Sequence, residues 1–247
     1  MHRQAVLAVV SLGVTVWSAG CASRPYEDDY VKRVQAFRGD AVFAALKSAP
    51  DEFLNGRVRM QLPRQFGPPK AGDEAEAKVR ARPPFLAAVP GFQTAVEVML
   101  QKPQNTFWPA VLAVGVEPAA ARPPGDVKGA ILQLVKMLDP AAAWTPKTVE
   151  PRGGGPAAWD VISLRRDQPF SVQVGNEYVD KNAPGICDIW VSSDPKQEFC
   201  TVLVLRLPEE VADMLEVPSD QLMELVARTV QTVEPPADEA AQEPQAK

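Results

Sequence analysis

The sequence predicts an α+β domain in which an antiparallel sheet packs against amphipathic helices. Three observations support this class. Apolar and polar residues alternate over 57–62, a helical apolar stripe runs through 126–139, and the last third contains successive strand patterns that end in a second helical stripe. Strands followed by a helix, then a meander and a closing helix, favour an antiparallel sheet with helices on it.

Composition supports a folded core and excludes some partners. The chain is 46% hydrophobic and 23% charged, which is ordinary for a folded domain. Its 25 prolines are about twice the average frequency and fall mostly in connectors. The formal net charge is −5, or −6 once Arg3 is removed with residues 1–20, and no block of Lys or Arg occurs. Neither nucleic acid nor anionic headgroups are therefore expected partners.

The N-terminus has the pattern of an export signal. An unbroken, largely apolar run, AVLAVVSLGVTVW, occupies 5–17 and is shorter than the roughly 20 residues that a helix needs to cross a bilayer. The small residues that follow lead directly into a cysteine, as Ser18-Ala19-Gly20-Cys21. This arrangement resembles the lipobox of bacterial lipoproteins, although Ser18 stands where leucine is commonest. The signal peptide is predicted to be 1–20.

The resemblance implies that the chain is cleaved between Gly20 and Cys21 and that Cys21 carries the lipid. Two or more acyl chains give durable membrane attachment, because each buried methylene contributes about 0.8 kcal/mol. By analogy with enteric sorting, Ala22 after the cysteine favours the outer membrane. Two alternatives are an ordinary cleaved signal with an incidental cysteine and a short membrane anchor that is retained.

Residues 21–55 are predicted to be a lipid-anchored spacer and an N-terminal helix. The spacer is 24–29, and apolar residues recur at helical spacing over 30–48. The globular domain is predicted to span 56–233. It begins with a half-buried strand in which Val58, Met60 and Leu62 alternate with polar residues. Residues 67–84 are charged and bounded by prolines, which predicts a mobile loop.

The middle of the chain predicts two strands and one helix. The strands are 92–100 and 108–116, and the second is expected to be deeply buried because its apolar run hardly alternates. Asp126 is predicted to cap a helix that ends at 139–140. The following segment, 141–156, is interpreted as a connector. Its glycine triplet lacks the strand and the Gly-Lys-Ser/Thr sequence of a phosphate-binding loop.

The last third predicts an antiparallel meander and a closing helix. Strands are expected at 159–164, 170–174, 186–192 and 199–207, with the last two joined around Ser193-Asp194-Pro195-Lys196. Ser219 is predicted to cap a helix that carries an apolar stripe to Val233 and stops at Pro235-Pro236. Residues 234–247 are acidic and poor in apolar side chains, which predicts a disordered tail.

Two cysteines remain in the exported domain, where conditions are oxidising. If Asp194 and Gln197 close the turn, Cys187 opposes Val204 and Cys200 opposes Val191. The two cysteines would then lie about 13 Å apart along the ladder, beyond the about 7 Å that a disulfide spans between Cα atoms. We therefore predict two buried free thiols. A bridge is the alternative if a bulge or another register brings them together.

The residue content argues against catalysis. The one histidine, His2, lies in the predicted signal peptide, so a Ser-His-Asp mechanism and a histidine zinc site are excluded. Neither a cofactor nor a metal is expected. The carboxylate pairs that remain fit solvated surface better than a glycosidase site; they are Asp28/Asp29, Glu74/Glu76 and Glu209/Glu210.

The tryptophans are the remaining candidates for a binding surface. Trp108 and Trp159 stand in apolar strands and are expected in the core. Trp190 alternates away from Ile189 and Val191, so it is predicted to lie on a second apolar face or a binding surface.

The order of the elements, with an opening strand that ends at Leu62-Pro63, a late strand over 202–208 and a closing helix, resembles the PsbP/Mog1-like sandwich over 56–233. Such domains usually bind partners and lack catalytic residues, so the resemblance implies an accessory role. The favoured hypothesis is an envelope lipoprotein that is not an enzyme and binds another envelope protein. The alternatives are a carrier of a small apolar ligand and, third, a histidine-free hydrolase.

Overall fold

The computed structural model describes residues 42–68, 89–152, 155–192 and 198–233. Several predicted segments lie outside these ranges: the signal peptide with Cys21, the spacer, most of the N-terminal helix, nearly all of the loop 67–84, the turn at 193–197 and the tail. The described strands and α-helices are β1 (Asp51–Phe53), β2 (Val58–Met60), β3 (Phe92–Lys102), β4 (Thr106–Pro118), α1 (Pro124–Lys136), β5 (Thr145–Val149), β6 (Ala157–Val174), β7 (Glu177–Ser192), β8 (Phe199–Pro208), α2 (Ser219–Arg228) and β9 (Gln231–Thr232).

The domain is built mostly of antiparallel sheet, with few helices. Six strands form one sheet in the order β3-β4-β8-β7-β6-β5, and β1, β2 and β9 form a second, three-stranded sheet. All the neighbouring strands are antiparallel. The end of β6 also pairs with the start of β4, at Thr106 opposite Val174 and Phe107 opposite Gln173. The α+β prediction is compatible with this fold, which contains more sheet than expected.

Both faces of the six-stranded sheet are covered. One face packs against the α1 stripe of Val127, Ile131 and Val135. The other packs against α2 and the three-stranded sheet. Every residue of the central strand β8 is buried, because each of its faces meets one of these two layers. The core therefore consists of two apolar clusters separated by the sheet.

The three-stranded sheet brings the two ends of the described domain together. β2 lies between β1 and β9, and its predicted alternation is confirmed: Val58 and Met60 are buried, as is Leu62 just beyond the strand. The backbone N–H of Gln61 donates to Oγ1 of Thr229 at 2.9 Å, across 168 residues of chain. Arg57 likewise donates to the carbonyl oxygen of Val233.

The predicted limits of the helices require correction. The described end of the N-terminal helix is a 3-10 turn, Phe43–Ala45. Neither helix has the predicted side-chain cap, because Pro123 and Pro218 occupy the capping positions and fix the φ angles there. Asp126 therefore lies in the first turn of α1, Ser219 is the first residue of α2, and α2 ends at Arg228, before Val230 and Val233.

Two corrections concern the sheet. The connector predicted over 141–156 contains β5, an edge strand that pairs with 157–161 of β6. The strands predicted at 159–164 and 170–174 form one continuous strand, β6, which runs through Pro169. No described strand pairs with the outer side of β6 at Pro169, so the missing N–H is tolerated there.

The register of the β7–β8 hairpin differs from the prediction by two residues. Cys187 lies opposite Arg206 rather than Val204, and Val191 lies opposite Val202 rather than Cys200. A shift of two residues leaves every side chain on its predicted face, because side chains alternate with a period of two. The hydrophobic pattern is therefore unable to distinguish the two registers.

Candidate functional site

Trp190 is buried on a second apolar face of the sheet rather than exposed on a surface. Its side chain is 2% exposed and belongs to the apolar cluster beneath α2 and the small sheet. Its ring meets that of Trp159 edge-on at 6.2 Å, and Nζ of Lys147 lies 4.7 Å above it. The second apolar face predicted from the alternation does exist, but protein covers it. The core positions predicted for Trp108 and Trp159 are confirmed.

The two described cysteines are free and buried, as predicted. Burial away from water raises the pKa of Cys187 to about 12, because the charged thiolate loses its hydration. Burial likewise raises the pKa of Cys200 to about 11, against a hydrogen bond with Ser192 that favours the thiolate. A thiol with a raised pKa is a poor nucleophile, so neither cysteine is suited to redox or covalent chemistry.

These thiols are expected to make the domain less stable in alkali. An unfolded cysteine has a pKa of about 8.5, so above that pH the unfolded chain loses protons that the folded chain keeps. The free energy of unfolding should then fall by about 1.4 kcal/mol per pH unit for each buried thiol. The two thiols together cause part of the fall in the free energy of unfolding with pH, and Cys187→Ala should lose about half of that part. Urea titrations at several pH values between 9 and 11 measure the fall.

The matched control is Cys200→Ala, which should remove a similar share of the slope up to about pH 11 and leave the share from Cys187. Other groups that deprotonate in this range affect all three proteins alike, so the differences between slopes are the measurement. Equal slopes in the wild type and both variants would contradict the prediction.

A groove of about 550 Å³ lies between the β5–β6–β7 part of the sheet and the beginning of α2. Residues of β6 and β7 line it, together with Lys147 of β5 and Asp220 of α2. It continues over the end of β5 to the segment that follows α1. The lining residues are Asp139, Ala141, Ala142, Ala143, Thr145, Pro146, Lys147, Val161, Ile162, Ser163, Asp188, Trp190 and Asp220.

Asp188 is the buried charged group of this groove. Its side chain is 2% exposed. One carboxylate oxygen, Oδ1, accepts hydrogen bonds from Oγ of Ser163 at 2.7 Å and from a guanidinium N–H of Arg165 at 2.8 Å. The other oxygen, Oδ2, is buried and has no hydrogen-bond partner. A buried carboxylate oxygen without a donor is costly, so Asp188 is half satisfied by the protein.

The groove is acidic overall. Three aspartates and one lysine line it. The lysine, Lys147, is already paired with Glu224 at 2.8 Å. Asp220 is exposed at the first turn of α2, and Asp139 accepts a backbone N–H from Ala141. This arrangement can accept hydrogen bonds and stabilise positive charge.

The sequence did contain a signal for Asp188. It stands in the run Ile186-Cys187-Asp188-Ile189-Trp190, where a single carboxylate interrupts an otherwise apolar strand. A charged residue at such a position is almost never buried unless it is paired. The partners that make burial possible come from β6, whose pairing with β7 sets Ser163 directly opposite Asp188.

A second pocket, of about 340 Å³, lies at the small sheet and includes Arg59 and Arg152. Arg59 is paired with Glu52 at 2.8 Å, so its charge is compensated. Of the carboxylate pairs considered above, Glu209 and Glu210 lie in the described part of the chain. Both are exposed at the beginning of a 3-10 helix, and Glu210 pairs with Lys102 at 2.6 Å. The other two pairs lie outside the described residues.

Within the described ranges, no group of three His, Cys, Asp or Glu side chains is arranged to hold a metal ion. Nor is any helix there long and apolar enough to cross a membrane.

Comparison with known proteins gives structural similarity alone. No protein-family model matches the chain, and no curated protein matches it. Among solved structures, it is similar to the Ran-binding protein Mog1p of Saccharomyces cerevisiae, at 12% identity and a TM-score of 0.35, over 76% of this chain and 97% of that one. A point mutant of the protein Mog1 is similar at 13% identity and a TM-score of 0.35, over 76% of this chain and 96% of that one.

A structure from Bacteroides thetaiotaomicron VPI-5482 is similar at 11% identity and a TM-score of 0.35. The match covers 75% of this chain and 48% of that one.

Proposed function

We propose that the chain is an envelope lipoprotein, anchored through lipid on Cys21, whose domain is not an enzyme and acts by binding another envelope protein. The anchor rests on the Ser18-Ala19-Gly20-Cys21 sequence, and Ala22 favours the outer membrane. The binding role rests on one observation, the groove that contains a half-satisfied buried carboxylate, Asp188. Accessible grooves with a few convergent polar groups are the usual form of binding sites.

The charges of the groove favour this role over transport of a small apolar ligand. An apolar ligand would leave Asp188, Asp220 and Lys147 without water and without new partners, which is unfavourable. A partner protein with polar and charged side chains could satisfy them. We also propose that the domain is a PsbP/Mog1-like sandwich, on the strength of its opening strand, its late buried strand and its closing helix.

The anchor is tested by the intact mass of protein extracted from membranes. The wild type is expected to have a mass that begins at Cys21 and includes lipid, because the thiol is the attachment site. Cys21→Ala should lose the lipid and leave the membrane fraction. Cys200→Ala is the matched control, and it should retain the lipid because its thiol is buried in the domain. A soluble wild-type product, cleaved near Cys21 without lipid, would overturn the anchor.

Binding is tested separately, by cross-linking in intact cells. An amine-reactive cross-linker should join the wild-type domain to a specific envelope protein identified by mass spectrometry. Cross-linking of the same protein should weaken in Asp188→Asn. Failure to recover a specific partner would overturn the proposed binding role and leave the anchor unaffected.

A further inference from the structure

We infer that the groove binds a lysine or arginine side chain of an extended segment of the partner, with the cationic group donating to Oδ2 of Asp188. This inference rests on the proposed binding function and specifies the chemistry of the partner. It starts from Asp188, which is buried in the groove and has one carboxylate oxygen without a donor.

The carboxylate of Asp188 can accept a hydrogen bond from a second cation at Oδ2. Ser163 and Arg165 both donate to Oδ1, so they fix the orientation of the carboxylate and leave Oδ2 free. Arg165 is 42% exposed, so solvent screens its charge. An ammonium or guanidinium group within hydrogen-bond distance of Oδ2 would form a charge-assisted bond, which is about twice as strong as a neutral one.

The surroundings favour a cation over an anion. Asp139 and Asp220 line the same groove, and the charge of Lys147 is compensated by Glu224. The groove also shows how it accommodates a cationic group, since Nζ of Lys147 lies 4.7 Å above the ring of Trp190. An anion would meet three aspartates, which excludes a phosphate or carboxylate ligand on electrostatic grounds.

The position of the groove favours an extended polypeptide segment. β5 pairs with β6 only as far as Val161, and no described strand covers the outer side of β6 directly beyond that residue. Ser163 is exposed on this uncovered edge and lines the groove. An uncovered strand edge offers main-chain donors and acceptors to an added strand, while alternate side chains of that strand enter pockets. The basic side chain would occupy the groove in this way.

The test uses the full chain in detergent and a pentapeptide probe, acetyl-Ala-Val-Lys-Val-Ala-amide, with arginine, glutamine and norleucine analogues at the central position. Binding is followed by fluorine NMR of protein labelled with 5-fluorotryptophan, where the Trp190 resonance is assigned from Trp190→Phe. The lysine or arginine peptide should shift this resonance. The glutamine and norleucine peptides should not.

Three variants locate the effect. Asp188→Asn keeps the shape of the side chain and should weaken binding of the basic peptide about ten-fold or more, because the charge-assisted bond is lost. Asp220→Asn, an exposed position in the groove, should weaken it about three-fold. Asp180→Asn is the matched control, because Asp180 is exposed on the same strand and does not line the groove. It should bind like the wild type.

Two outcomes would overturn the inference: equal binding of the norleucine and lysine peptides, or unchanged binding in both Asp188→Asn and Asp220→Asn. If n-butylammonium alone binds as tightly as the lysine peptide, the assignment to an extended segment is wrong. Circular dichroism shows whether Asp188→Asn is folded. If this variant is unfolded, peptide binding by Asp220→Asn decides whether the acidic groups of the groove bind the basic side chain. These results are independent of the cross-linking above, so the partner can exist even if this chemistry fails.

Discussion

Replacing Trp190 with alanine is expected to lower the free energy of unfolding by about 3–5 kcal/mol, the range for a large aromatic side chain removed from a core. The ring is 2% exposed, meets Trp159 edge-on at 6.2 Å and lies beneath the ammonium group of Lys147. Its removal leaves a cavity in the apolar cluster that joins the sheet to α2 and the small sheet. Urea denaturation followed by circular dichroism measures the change.

The matched control is Tyr178→Ala on the same strand. Tyr178 is 60% exposed in the β6–β7 hairpin, so its removal should change the free energy of unfolding by less than about 0.5 kcal/mol. A loss below about 1 kcal/mol for Trp190→Ala would contradict the buried position and restore Trp190 as a surface residue.

Gly115→Ala is expected to destabilise the domain by about 1–3 kcal/mol or more, because the added methyl group would overpack a closed site. Gly115 lies in β4, where a Cβ atom would overlap the carbonyl oxygen of Pro90 and lie 2.7 Å from Cγ1 of Val89. One of these contacts is with the backbone, so a change of rotamer does not relieve it. The strand must shift relative to the segment that precedes β3.

Gly129→Ala supplies the opposite result with the same chemical change. Gly129 is exposed on α1, and a Cβ atom there would meet nothing within 4 Å. Alanine is the better helix former, so the variant should be stabilised by about 0.5–1 kcal/mol. Thermal denaturation of the two variants side by side should therefore give shifts of opposite sign. Equal shifts would contradict the close approach at Gly115.

The sequence predicted those elements whose pattern is local and strong. The alternation at Val58 and Met60, the apolar run of β4 and the stripe of α1 each occupy a position in the fold that matches the pattern. The short edge strands were missed because two to five residues carry too little periodicity. Pro146 further reduced the strand character of β5.

The candidate site could not be predicted from the sequence, because its position depends on which layers cover each face of the sheet. Trp190 was assigned correctly to the face opposite Ile189, but the layer that buries it is assembled from both ends of the domain. Asp188 can be buried on an apolar strand because Ser163 and Arg165 of the paired strand β6 donate hydrogen bonds to its carboxylate. The local hydrophobic pattern does not predict such long-range pairings.

The small sheet that joins β2 to β9 also has a consequence for the order of folding. Its hydrogen bond between Gln61 and Thr229 spans 168 residues, and contacts between residues so distant in the chain slow folding. The apolar cluster beneath α2 is incomplete until α2 is present, because Leu222 of α2 belongs to it together with Met60 of β2. This cluster is therefore expected to close only after nearly all of the described domain has been synthesised. Under the export that we propose for this chain, that delay would keep the domain in a form that can cross a membrane unfolded.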